Sequence, residues 1–258
     1  MQAHRWARPE WHRTIDSTQS ALLRDPRPGR VVVAEHQSAG QGRRGRTWSA
    51  PPGAALAVSV ALPAPRPEVV GWVPLLTGLA VVQALGAGPY AVPAALKWPN
   101  DVLVPQDGQW RKVCGILAQV VPAASAPGPV VVLGTGINLD QDREDLPVPT
   151  ATSWRLACGS ESLPPSARQA WLQDYLRALD GLLDLLERDP AALRAAYARR
   201  CRTLGQPVRV HLPDGSTEEG RAVGLDDSGA LLVQSATGTR AHHAGDVVHL
   251  RHDRSTER

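Results

Sequence analysis

Between residues 31 and 139 the apolar positions fall in short, nearly unbroken runs: VVVAEH (31–36), AALAVSVAL (54–62), AALKWPNDVLV (94–104), RKVCGILAQVV (111–121) and VVVLGTGINL (130–139). Runs of this length, rich in valine and bounded by glycine, proline and asparagine, predict buried strands, with Pro99-Asn100-Asp101 as a turn. Two segments follow a helical period instead. In TIDSTQSALLRD (14–25) Asp16, Ser17 and Thr18 stand directly ahead of an apolar helical pattern, as at a helix N-terminus, and EVVGWVPLLTGLAVVQAL (68–85) predicts a core helix despite Pro74. From Ser166 to Cys201, Trp171, Leu172, Tyr175, Leu176, Leu179, Leu182, Leu183 and Leu186 recur at three- and four-residue steps, with a break at Asp189-Pro190. Beyond Gly205 the texture changes again, to short strands separated by glycine turns, which predicts a small β-barrel with its own core. The chain therefore divides into a large domain, residues 1–203, and a small one, 204–258.

Composition narrows the class. A chain of 258 residues with 43% hydrophobic content can bury a sizeable core, and a net charge of +3 spread along it announces no nucleic-acid tail. Cys114, Cys158 and Cys201 form no CxxC pair, which fits a reducing, cytoplasmic setting. No apolar run approaches the roughly 20 residues that span a membrane. His242, His243, His249 and His252 lack acids or cysteines at ligand spacing and are expected to be surface imidazoles. Of the 28 basic residues only Lys97 and Lys112 are lysine. So strong a bias suggests that lysine is kept where a compact ammonium does what a guanidinium cannot.

The chemistry gathers around EHQSAGQGRRGRTW (35–48), where Gly40, Gly42 and Gly45 alternate with Arg43, Arg44 and Arg46. Glycine lets backbone N–H groups approach a ligand and arginine offers a forked cation, so the loop is suited to close over an anion; a solvated, RNA-binding arginine-glycine patch fits the same residues. The stretch from Gly40 to Thr47 nearly matches the phosphate-loop pattern, but Arg46 replaces its lysine and SAPPGA follows where a helix should start. Gly134-Thr135-Gly136 lacks the third glycine of a dinucleotide fingerprint.

IDSTQ, AEHQSAGQGRRGRTW, KWPND, RKVCGIL and LGTGINL, in this order and spacing, resemble the catalytic domain of biotin protein ligases, and the terminal strands resemble their C-terminal domain. The resemblance implies an α+β fold: a mixed, largely antiparallel sheet flanked by helices, of the class II synthetase-like kind, followed by an SH3-like β-barrel. It implies that biotin and ATP, with Mg²⁺, form biotinyl-5'-AMP and pyrophosphate, and that biotin then passes to one lysine of the biotin carboxyl carrier protein of acetyl-CoA carboxylase. By motif position, Ser17, Thr18, Gln19, Gln37, Gln41, Gly42, Arg43, Lys112 and Gly115 correspond to biotin contacts. Lys112 and Arg43 correspond to the catalytic cations, and Trp48, Asn100 and Asn138 to nucleotide-side positions; Asp101 is a candidate magnesium carboxylate. Gln19, Gln41 and Gln119 depart from residues frequent in the family. Only 13 residues precede TIDST, too few for the repressor domain that some members carry, so no DNA binding is expected; a homodimer is compatible with the sequence. The rival readings are a lipoate ligase or transferase of similar fold and a non-enzymatic RNA-binding protein using GRRGR.

Overall fold

In the run Val31-Val32-Val33, Val31 and Val33 pack into the main hydrophobic core while Val32 packs into a second cluster with Leu22, Ala61, Val130 and Val132. The run is unbroken because both faces of its strand are covered. The computed structural model describes residues 5–124, 126–212, 215–243 and 245–250, and His252 lies outside them.

In chain order the elements are β1 (Glu10–His12), α1 (Thr18–Arg24), β2 (Val31–Ala34), β3 (Ala55–Pro63), α2 (Trp72–Leu85), β4 (Ala95–Lys97), β5 (Asp101–Gln106), β6 (Gln109–Val121) and β7 (Val130–Asn138). There follow α3 (Trp154–Cys158), α4 (Pro165–Arg188), α5 (Pro190–Arg200), β8 (Pro207–His211), β9 (Thr217–Leu225), β10 (Leu231–Ser235), β11 (Gly238–His242) and β12 (Asp246–His249). The first seven strands form one sheet in the order β1-β2-β3-β7-β6-β5-β4, in which only β1 and β2 run parallel. The remaining five form an antiparallel sheet, β11-β10-β9-β8-β12.

Local chemistry accounts for the element boundaries. Ser17 caps α1, its hydroxyl accepting from Ser20 N at 3.3 Å. α2 begins only at Trp72, so Pro74 falls in its first turn, where a backbone N–H would have no helical partner. Asp189 ends α4 and caps α5 through Ala192 N at 2.9 Å, with Pro190 in the first turn.

The two sheets share one core. Val208, Val210, Ala222, Leu231, Val233 and Val247 belong to the same buried cluster as Trp72, Trp98 and Trp171, contrary to the expectation of a separate barrel core. Two tryptophans tie the sheets further: Trp72 Nε1 donates to Asp227 O at 3.0 Å and Trp98 Nε1 to Gly229 O at 3.1 Å. A barrel of some 45 residues buries too little surface to stand alone easily, and leaning on the large sheet supplies the rest.

The histidines are not all on the surface. His242 is 6% exposed, with Nε2 3.3 Å from Glu218 Oε2. His249 is half-buried, with Nε2 3.1 Å from Thr203 Oγ1, which itself accepts from Trp98 N at 3.0 Å. Thr203 keeps both its proton and a second lone pair, so it can answer either neutral tautomer of His249. Burial, reinforced by Lys97 and Arg202, lowers the His249 pKa to about 4. The unfolded chain, with an ordinary histidine pKa near 6.5, binds the extra proton first as pH falls. Stability should be full above pH 6.5 and decline between pH 6.5 and 4. After allowance for partial solvent exposure the decline is about 1–2 kcal/mol, and His249→Gln should flatten that segment of a denaturation series against pH.

Candidate active site

The N-terminus of α1, the loop after β2, the ends of β5 and β7 and the middle of β6 enclose a cavity of about 240 Å³. Ser17, Thr18, Gln19, Gln37, Gln41, Gly42, Arg43, Trp48, Asn100, Lys112, Gly115 and Asn138 all line it. Asp101 does not; it lies behind Lys112, with Oδ1 2.5 Å from Nζ.

One wall is polar but uncharged. Gln37 Oε1 accepts from Thr18 N at 2.7 Å and from Thr18 Oγ1 at 3.1 Å. With its one proton so used, Thr18 Oγ1 accepts from Ser59 Oγ, 2.8 Å away. Gln19 Nε2 donates to Gln119 Oε1 at 2.8 Å and Val132 O at 3.1 Å. The glutamine at 119 is thus a neutral acceptor that orients Gln19. Ser59 escaped the motif comparison; its signal was the lone hydroxyl in the apolar run AALAVSVAL, and it is fully buried on the cavity floor. Gly40 permits the arrangement, since a Cβ there would meet Trp48 O at 2.2 Å and Gln37 Nε2 at 2.7 Å.

The opposite wall carries the cations. Arg43 Nη1 donates to Asn100 Oδ1 at 3.0 Å, and Asn100 Nδ2 donates to Ile116 O at the same length. Burial pulls the Arg43 pKa down while Asp246 and Asp101 oppose that pull, so this guanidinium lacks full compensation for its lost water. The bulge between Val102 and Leu103 in the β5–β6 pairing sets the register in which Asp101 faces Gly115 and Leu103 faces Lys112. Asn138 Nδ2 donates to Thr152 O at 3.0 Å and its Oδ1 accepts from Gln141 Nε2 at 3.3 Å. Trp48 lies against Gly136, where a Cβ would meet its ring at 2.7 Å. One cavity thus offers a neutral hydrogen-bonding floor, a flat aromatic and three cations, Arg43, Arg46 and Lys112, a set suited to a small amphipathic acid beside a phosphorylated nucleotide.

Among the described residues no group of three or more histidine, cysteine or acidic side chains could hold a metal ion, and none of the described helices is long and apolar enough to cross a membrane.

Comparison with known proteins gives a consistent result. Residues 11–138 match the model of the Biotin/lipoate A/B protein ligase family, and residues 203–250 that of the biotin protein ligase C-terminal domain. The chain is 40% identical over 228 residues to a biotin-acetyl-CoA-carboxylase ligase of Mycobacterium tuberculosis, covering 86% of this chain and 80% of that protein. It is 31% identical over 223 residues to the enzyme of that name from Paracoccus denitrificans, covering 84% and 88%. The biotin protein ligase from Aquifex aeolicus, solved in complex with biotin and ATP, superposes with a TM-score of 0.76 at 27% identity over 94% of this chain and 98% of that one.

Proposed function

Because the chain belongs to the biotin protein ligase family, we propose that its cavity is the place where biotin and ATP meet, with the neutral wall for the ureido ring and the cationic wall for the carboxylate and phosphates. The enzyme is an ATP-dependent ligase that forms biotinyl-5'-AMP and transfers biotin to the carrier of acetyl-CoA carboxylase. The observation that carries the assignment of the site is the junction of the Thr18–Ser59–Gln37 circuit and the Arg43–Lys112 wall in one cavity.

A urea both donates and accepts, and hydroxyls and amides answer it without placing a charge against it. In the first step a biotin carboxylate oxygen attacks the α-phosphorus of ATP, the bond to the β-phosphate oxygen breaks, and pyrophosphate leaves. Both reactants are anionic, so Lys112 and Arg43 lower the barrier by neutralising charge already in place. Magnesium would enter on the triphosphate; Asp101, the carboxylate suggested for it by motif position, is paired with Lys112 and stands outside the cavity lining, so it does not fit that role as placed. In the second step the carrier's lysine amine attacks the anhydride carbonyl, AMP leaves, and the amine proton passes to solvent. ATP and carrier put this reaction in the cytoplasm.

Biotin-dependent exchange of labelled pyrophosphate into ATP tests the reading. Exchange with lipoate and not with biotin would favour the lipoate rival, whose dithiolane ring would leave the polar floor unanswered. Salt-sensitive RNA retention without exchange would favour the RNA-binding one.

A further inference from the structure

Three arginines of the 40–48 loop converge on one carboxylate of the other sheet. Arg46 Nη2 is 3.2 Å and Arg43 Nη1 3.9 Å from Asp246 Oδ1, and Arg44 Nη1 is 3.7 Å from Asp246 Oδ2. Backbone groups on both sides reinforce the junction. Arg44 Nη2 donates to His211 O at 2.9 Å and Arg43 Nη1 to Gly245 O at 3.4 Å. His211 is the register partner of Asp246 in the β8–β12 pair, so the carboxylate and that carbonyl stand side by side at one end of the sheet. The loop's other ties are few: Gly42 N donates to Arg46 O at 2.6 Å, Arg46 N and Nε to Arg43 O at 3.3 and 3.2 Å, Trp48 N to Gly40 O at 2.9 Å, and Gln41 Nε2 to Ser20 Oγ at 3.1 Å. Arg44 sits at φ +56°, a left-handed conformation that a non-glycine residue holds only when its surroundings fix it.

We propose that Asp246 is a positioning residue that closes the 40–48 loop over the cavity by drawing Arg43, Arg44 and Arg46 onto the C-terminal sheet. Without it, three guanidiniums in four residues repel one another and favour an open, extended loop. With it, the loop gains a charged anchor on the C-terminal sheet. One carboxylate against three cations still leaves an excess of two positive charges at the mouth, so closure does not cancel the attraction for a polyphosphate. Each pair alone is long or solvated and weak, but one carboxylate shared by three partners couples them into a single contact. Asp246 touches no reacting atom; it acts through the arginines, and this inference rests on the cavity being where the acyl-adenylate is made and kept.

Asp246→Asn removes the charge and keeps the shape. In the free protein, limited trypsin digestion should cut after Arg43, Arg44 and Arg46 about tenfold faster, with cuts elsewhere unchanged. Cleavage of the parent's loop should quicken with added salt while the variant's should not, because in the variant salt screens only the repulsion among the arginines. Preformed labelled biotinyl-AMP should leave the variant three- to tenfold faster in a chase. Arg46→Gln, on the exposed side of the junction, should do the same more weakly and add little in the Asp246→Asn background. Unchanged loop cleavage, an unchanged release rate, a preserved salt response or additive variants would each overturn the inference. The digestion needs no substrate, so a parent protein that makes no adenylate would sink the reading of the cavity and leave the loop contact standing or falling on its own data.

Discussion

Lys112→Met should slow biotin-dependent pyrophosphate exchange about 10²-fold or more, with the protein still folded. The magnitude is that of removing one preorganised electrostatic group from a developing phosphoryl transition state. Lys112 is 40% exposed and stands on the cavity wall, so its loss opens no core cavity. Its loss does leave Asp101, 20% exposed, without its cation. Removing one partner of a shielded pair costs stability through the charge left behind, so Lys112→Met/Asp101→Asn serves as the control. If the ammonium acts in the transition state, kcat and kcat/KM should fall together in both variants. A rise in KM at unchanged kcat would make Lys112 a ground-state binding group, and full exchange in a folded single variant would remove it from the mechanism.

Much of this site was legible because its parts are local. Ser17 caps a helix whether or not it touches a ligand, and a cap ahead of an apolar period is visible in twelve residues of sequence. The strands of the large sheet were legible for another reason: VVVAEH and VVVLGTGINL are apolar on both faces because α1 covers one face and the main core packs against the other. What stayed hidden depends on contacts distant in sequence. β1 and α3 are three and five residues long, too short to show a period, and β1 exists by pairing in parallel with β2. Ser59 acquires meaning only when β3 brings it beneath Thr18, and Asp246 only when the small sheet docks beside the loop. His242 and His249 were misjudged because metal-ligand spacing is a local criterion, whereas their burial comes from Glu218 and from the Thr203 junction with the large sheet.

That docking bears on catalysis. The KWPND turn is held from behind by Trp98, whose indole donates to Gly229 and whose N–H is met by Thr203, while its Asn100 meets Arg43 in front. The C-terminal sheet therefore supports the cationic wall twice, once through the turn and once through the loop. A fixed wall of dipoles and charges costs no reorganisation during reaction, which is the condition for large electrostatic catalysis.

Arg43→Gly should turn a retaining enzyme into a leaking one. Arg43 is the loop arginine that both lines the cavity and meets the cationic wall, through Asn100 Oδ1 at 3.0 Å. Hydrogen bonds to a charged group are worth about 1.5–3 kcal/mol, so losing one such contact with the adenylate corresponds to release about tenfold to a hundredfold faster. Glycine adds backbone freedom at a point where Gly42 and Gly45 already supply it, which favours the open loop further. Adenylation should slow but survive, because Lys112 remains and Asn100 keeps its bond to Ile116 O. Biotinyl-AMP is a mixed anhydride that reacts with any accessible neutral amine, so escaped product should label lysines of unrelated proteins. On the proposed reading the parent confines it until the carrier's lysine arrives, by excluding water and stray nucleophiles. Chase kinetics on preformed labelled adenylate measure the escape rate, and biotin blotting of a bystander protein reads its consequence. If the rate matches the parent's and the bystander stays unlabelled, Arg43 does not hold the adenylate, and the loop's arginines would have to act in ATP binding instead.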